Sequence, residues 1–188
     1  MKKLILPILL LVFISSCNKN QKSVEARDDN KKFDQYKDRF ITSMWGFFPD
    51  WAASQGYHKL DSVLVVPDSI SRKKILDFAN ANLDSLKNYS LENLSDNNKT
   101  DFHMVKNQVE SLVYSINEMK SHEWNPAEYN VCGAFAEILN GNYDSIDNRL
   151  RNFGLKMKNI PAYYEAAKGN IKNPTLEHTQ LAIEQNLG

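Results

Sequence analysis

The stretch from Phe102 to Met119 constrains this chain most. Phe102, Val105, Val109, Leu112, Ile116 and Met119 recur at steps of three and four, which puts them on one face of a helix of about five turns and on both faces of any strand. Two more stripes repeat the spacing. Phe33, Tyr36, Phe40, Met44 and Phe47 form the first, widened by Trp45 and Phe48; Ile75, Ala79, Leu83 and Leu86 form the second, with Ser69 or Ser71 as its cap. Leu91, Leu94 and Ser95 make the turn between the second and third. Long helices joined by short links pack as antiparallel neighbours. Seven glycines and six prolines in 188 residues are too few for a turn-rich β-sandwich, so the expected fold is all-α around one helical core.

Between the first two helices lies Phe47 to Asp61, FFPDWAASQGYHKLD. Pro49 suits the first turn of a helix, Asp50 favours its positive end, and Gly56 ends it in a left-handed conformation. Phe48, Trp51 and Ala52 share a face and are expected to dock on the helical body, while Tyr57 to Asp61 leaves as an ordered loop. Leu60 to Val66 then runs extended until Pro67 closes it. The least generic polar pair is His58 and Asp61. Asp61 could fix the imidazole tautomer and present the other ring nitrogen to a cleft, or the pair could simply tie down the loop. Trp51, Tyr57, His58 and Asp61 are the substrate-cleft candidates.

The N-terminus reads as a lipoprotein signal over residues 1–16. Lys2 and Lys3 precede an apolar run from Leu4 to Ile14, and Ile14-Ser15-Ser16-Cys17 resembles a lipobox. The run is far short of the ~20 apolar residues that span a bilayer, so the segment is a leader and Cys17 the expected lipidation site. Asn18 to Asn30 is polar and without aromatics; residues 17–30 are expected to be a lipidated coil tether reaching roughly 20 Å, with residues 31–188 the folded helical part. Asn18 after the cysteine resembles lipoproteins sent on to the outer membrane. A lipidated Cys17 leaves Cys132, expected to be buried among the small and apolar residues around it. Lys and Arg total 23 against 23 Asp and Glu, so no nucleic-acid partner is indicated.

Downstream, Trp124-Asn125-Pro126 opens a helix ending near Asn140-Gly141, and Asn142-Tyr143-Asp144 opens one carrying Ile146, Leu150, Phe153 and Met157. Pro161 starts the next, and Thr175 caps a last helix with Leu176, Thr179, Ile183 and Leu187 on one face. No two of His58, His103, His122 and His178 are four residues apart, so no helical zinc pair is encoded. His103 is read at the surface or its boundary, and His122 and His178 as surface groups. Nucleophile-elbow and phosphate-loop motifs are absent too. No catalytic residue and no metal ligand is assigned.

Several of these elements resemble one family. Pro49, Trp51, Ala52, Gly56, His58 and Asp61, then Trp124 to Pro126, Ile160 to Pro174 and Ala182 to Gln185, occur in the order of elements in the bacterial domain of unknown function 885 family, over roughly Phe33 to Gly188. Full-length members resemble gluzincin metallopeptidases, hydrolases with a large helical body and an H-E-x-x-H-type zinc site well downstream. The resemblance implies that this chain is the N-terminal helical portion of such a body, lipid-anchored in the cell envelope. It is expected to be inactive alone, with zinc belonging to longer relatives and with a peptide substrate or the missing C-terminal portion as partner. The alternative is a freestanding helical lipoprotein that binds a peptide or protein partner.

Overall fold

A computed structural model of the protein describes residues 17–187, with side chains from residue 28 onward. The leader expected over residues 1–16 and the Cys17 thiol lie outside that description. Within it the protein is all-α, with no strand among the described residues. Its helices are α1 (Cys17–Phe47), α2 (Pro49–Ser54), α3 (Ser69–Leu86), α4 (Asp96–Tyr114), α5 (Ser121–Trp124), α6 (Cys132–Asn140), α7 (Ile146–Met157), α8 (Ile160–Asn170) and α9 (Leu176–Leu187). None of them is long and apolar enough to cross a membrane.

The first half of the molecule is α1 packed on the α3/α4 hairpin. Phe33, Tyr36, Phe40 and Met44 meet Ala79, Leu86, Leu94, Val105 and Val109 in one buried cluster, so the spacing that predicted these helices also names most of their core; Ile116 and Met119 of the third stripe fall beyond α4, and Met119 is exposed. Phe33 sets its ring edge-on to Tyr89 at 5.0 Å, and Phe40 stacks on Phe78 at 5.6 Å, geometries that add to simple burial. Polar contacts fix the same register. Tyr36 donates to Asn82 on α3 at 3.0 Å, and Lys37 donates to Asn98 and Asp101 on α4 at 2.6 Å.

Two details of this half depart from expectation. Residues 18–30 are helical backbone continuous with α1 and not coil. The segment holds no Gly or Pro, and six of its thirteen residues are Lys, Gln, Glu, Ala or Arg, which favour helix. Its end is tied down as well, because Asn30 donates to the Asn93 carbonyl and accepts from the Ser95 amide, while Asp29 accepts from Asn93. The α3 cap is Asp68, not Ser69 or Ser71; its carboxylate accepts from the Ser71 amide at 2.7 Å. Asp and Ser both make good caps, and the carboxylate adds its charge to the positive end of the helix.

After α4 the chain passes through a π-helical turn at Ser115–Met119, and Lys120 takes a left-handed φ of 48° before α5. A short 3-10 turn, Pro126–Tyr129, leads to α6, so the helix expected from Pro126 to Gly141 is two pieces. Leu64, Val131 and Phe135 form a second, smaller core backed by Phe153, Ile160 and Tyr163.

The other stripes of this half point outward. Ile146, Leu150 and Met157 of α7 are about half exposed, and Leu176 and Leu187 of α9 are 79% and 82% exposed. On α7 the buried position is Lys156 instead. Cys132 is exposed as well, because it occupies the first turn of α6, whose inward positions are Phe135 and Ile138.

The segment 48–68 is the seam between the halves. Its helix α2 starts at Pro49 and closes in a Schellman arrangement: Gly56 at φ 83° donates to the Ala53 carbonyl at 2.8 Å, and Tyr57 donates to that of Ala52 at 2.9 Å. The extended stretch that follows presents carbonyls that no helix satisfies. Side chains of the second half take them: Asn159 donates to Leu64 at 3.1 Å, and Asn170 to Pro67 at 2.6 Å.

Candidate functional site

The seam holds two constellations. The first is built on Asp61, 2% exposed at the end of the 3-10 turn His58–Leu60. Tyr143, 82 residues on, donates its hydroxyl to Asp61 Oδ2. The His58 ring lies flat on the Tyr143 ring, 2° from parallel with centroids 3.3 Å apart. His58 Nδ1 is 3.3 Å from the same Asp61 oxygen, but it is not aligned for a hydrogen bond and has no other partner among the described residues. The Asp61 contact that meets hydrogen-bond geometry is thus with Tyr143. Burial first, and then the carboxylate it serves, push the Tyr143 phenol far above its ordinary pKa, so it remains a donor at any physiological pH.

Gly141 makes room for that tyrosine. A Cβ there would stand 2.8 Å from the Glu137 carbonyl and 2.7 Å or less from the Tyr143 ring. Sequence reasoning treated Tyr143 as part of a helix start; the small residue two positions before an aromatic was the available signal. The two sequence-predicted residues are therefore adjacent but not hydrogen-bonded to each other, and Tyr143 supplies the bond to Asp61.

The second constellation is a cleft of about 470 Å³ between the two cores, within the range of small-ligand sites. Phe48, Trp51, Leu64 and Tyr163 contribute apolar wall, and Asp50, Arg72 and Glu128 the charged lining. Of the four cleft candidates, Trp51 lines this space; it is 42% exposed and does not dock on the body as expected. Ala52 and Ala53 are the buried residues of α2 with Pro49. Tyr57 turns away to stack on Trp45 at 4.6 Å, and His58 and Asp61 belong to the first constellation. The structure separates Trp51 from the other three.

The charges of the cleft differ in how they are satisfied. Asp50 accepts from Lys156, which is 2% exposed and also reaches the Ala134 carbonyl at 3.2 Å, so a buried ammonium on α7 is neutralised from α2. Glu128 accepts from Ser121 and Asn125. Arg72 donates to the Pro67 carbonyl at 2.7 Å and forms no ion pair among the described residues. Its charge is nonetheless felt. After burial, it is the next cause that lowers the pKa of His122, on a neighbouring cavity that Arg72 also lines. Tyr163 is pushed up to about 12, chiefly by burial.

Among the described residues no three His, Cys, Asp or Glu side chains converge as metal ligands would. His103 is exposed, as expected. His122 and His178 are half-buried and not simple surface groups; His178 sits edge-on to Trp124 and shares a hydrogen bond with Thr175.

No family model matches the chain, and no curated protein matches it. Among solved structures it is similar to a protein of Shewanella oneidensis described as a lipoprotein of unknown function, with 44% identity and a TM-score of 0.81 over 83% of this chain. The chain spans 29% of that protein's length. The likeness agrees with the lipobox read at Cys17 and leaves the metallopeptidase resemblance resting on its motifs.

Proposed function

We propose that this chain is the N-terminal helical portion of a larger lipid-anchored, metallopeptidase-like body in the cell envelope, contributing structure and a cleft wall but no catalytic group of its own. The observation that carries the reading is the outward apolar face of α7 and α9. Ile146, Leu150, Met157, Leu176, Ile183 and Leu187 repeat at helical spacing yet stand about half exposed or more. Such stripes mark a surface that another element covers. A likeness spanning 29% of a longer protein supports the same view.

The anchor is read at Cys17, with the helical 18–30 segment holding the body about 20 Å away at 1.5 Å per residue. The purified chain should self-associate in sedimentation velocity as concentration rises, and Leu150→Glu with Ile183→Glu should restore the monomer. A wild type that stays monomeric at every concentration overturns the covered-face reading. For the anchor, Cys17→Ala should release the protein from the membrane fraction; a variant that stays fully membrane-bound removes lipidation. A freestanding peptide binder is the second reading, favoured by the Trp51 cleft.

A further inference from the structure

We infer that the cleft between the two helical halves takes the C-terminal end of a peptide, with Arg72 receiving its carboxylate and Trp51 and Tyr163 enclosing an apolar last side chain. The inference deepens the cleft reading above and rests on it. Its first ground is charge. Asp50 is neutralised by Lys156 and Glu128 accepts from the neutral Ser121 and Asn125, whereas Arg72 spends one donor on the Pro67 carbonyl and keeps the rest of a five-donor fork. Asp68 lies near enough to feel its charge but is not ion-paired with it, and a half-buried guanidinium that no carboxylate holds is matched best by one it can hold bidentately.

The second ground is the wall. Trp51 stands on a six-residue helix fixed by its Schellman end and by the Asp50 to Lys156 contact, yet it is left 42% exposed beside the opening. An indole held rigidly at a cleft mouth gives apolar contact at little cost in entropy. The third ground separates a peptide from a simple fatty carboxylate. The Tyr163 hydroxyl makes no hydrogen bond among the described residues, and burial keeps it protonated. It is therefore a donor suited to a peptide carbonyl.

The test is calorimetric titration of the full chain with acetyl-Ala-Phe as the free acid, the same peptide as its C-terminal amide, and hexanoate. The free acid should bind about tenfold or more tightly than the amide, as expected for loss of a charge-assisted pair, and more tightly than hexanoate. Arg72→Gln should lower the acid to the affinity of the amide, and Trp51→Ala should weaken both peptides alike. Because Arg72 also supports the Pro67 carbonyl, its variant could fail to fold; the acid-to-amide ratio of the wild type and the effect of Trp51→Ala then decide. The inference is overturned by equal affinity for acid and amide, by no measurable binding of the acid, by hexanoate binding as well as the peptide, or by a folded Arg72→Gln that keeps its preference for the acid. Self-association is read by sedimentation and occupancy by heat, so the covered-face reading and this one fail separately.

Discussion

The two helical halves use the same periodicity to different ends. In the first, each turn of α1 from Phe33 to Met44 delivers an apolar side chain into a cluster that α3 and α4 close from the other side. In the second, α7 and α9 carry stripes just as regular, but the inward positions belong to Lys156, Asn170 and the small cluster around Leu64, Val131 and Phe135. The first half buries the apolar face of α1 against α3 and α4, whereas the second buries Phe135 and Ile138 of α6 but leaves the apolar faces of α7 and α9 outward and adds polar contacts to the seam. Hydrophobic stabilisation should therefore be concentrated in the first half.

That comparison can be broken by truncating one phenylalanine in each core. Phe33 is fully buried, and Phe33→Ala should cost about 3–5 kcal/mol in chemical denaturation. Phe135 is 8% exposed in a three-residue cluster, where neighbours can relax, so Phe135→Ala should cost less than about 3 kcal/mol. Equal losses would mean that the second core is as complete as the first.

The difference also explains what could be read from the sequence. Phe33, Tyr36, Phe40 and Met44 were legible because local period and tertiary burial coincide there. Gly56 was legible for a similar reason, since its left-handed φ serves a turn closed by residues three and five positions apart. Ile146, Leu150 and Leu176 show the limit: a period reveals that a helix has an apolar face, not whether this chain covers it. Lys156 could not be read as a core residue, because its partner Asp50 is 106 positions away and a lysine taken alone belongs in water. The same distance problem hid Tyr143. Asp61 drew attention through His58, three residues off, whereas the group that satisfies it comes from the far side of the molecule.

The seam gives a finer comparison, between a buried hydrogen bond and a ring contact. Tyr143→Phe keeps the ring under His58 but leaves the Asp61 carboxylate buried without its donor, which should cost about 1–3 kcal/mol. The raised phenol pKa sets the pH behaviour of that loss. A folded-state pKa above the unfolded value of about 10 means the contribution is complete below that value and falls only as pH rises past it. The wild-type minus Tyr143→Phe difference should accordingly be flat between about pH 7 and 9; a difference that shrinks across this window would show the phenol losing its proton early.

The smallest effect is expected from His58. Its ring contributes stacking but no aligned hydrogen bond, so His58→Ala should cost about 0.5–1.5 kcal/mol, the scale of an aromatic pair. Neither His58 nor Asp61 is among the residues lining the Trp51 cleft. Peptide affinity should therefore survive His58→Ala while thermal stability falls slightly, the pattern of a residue that ties down the loop. A His58→Ala protein that melts with the wild type but loses peptide affinity or, within a longer relative, turnover would place His58 in the binding machinery and make the seam one site instead of two.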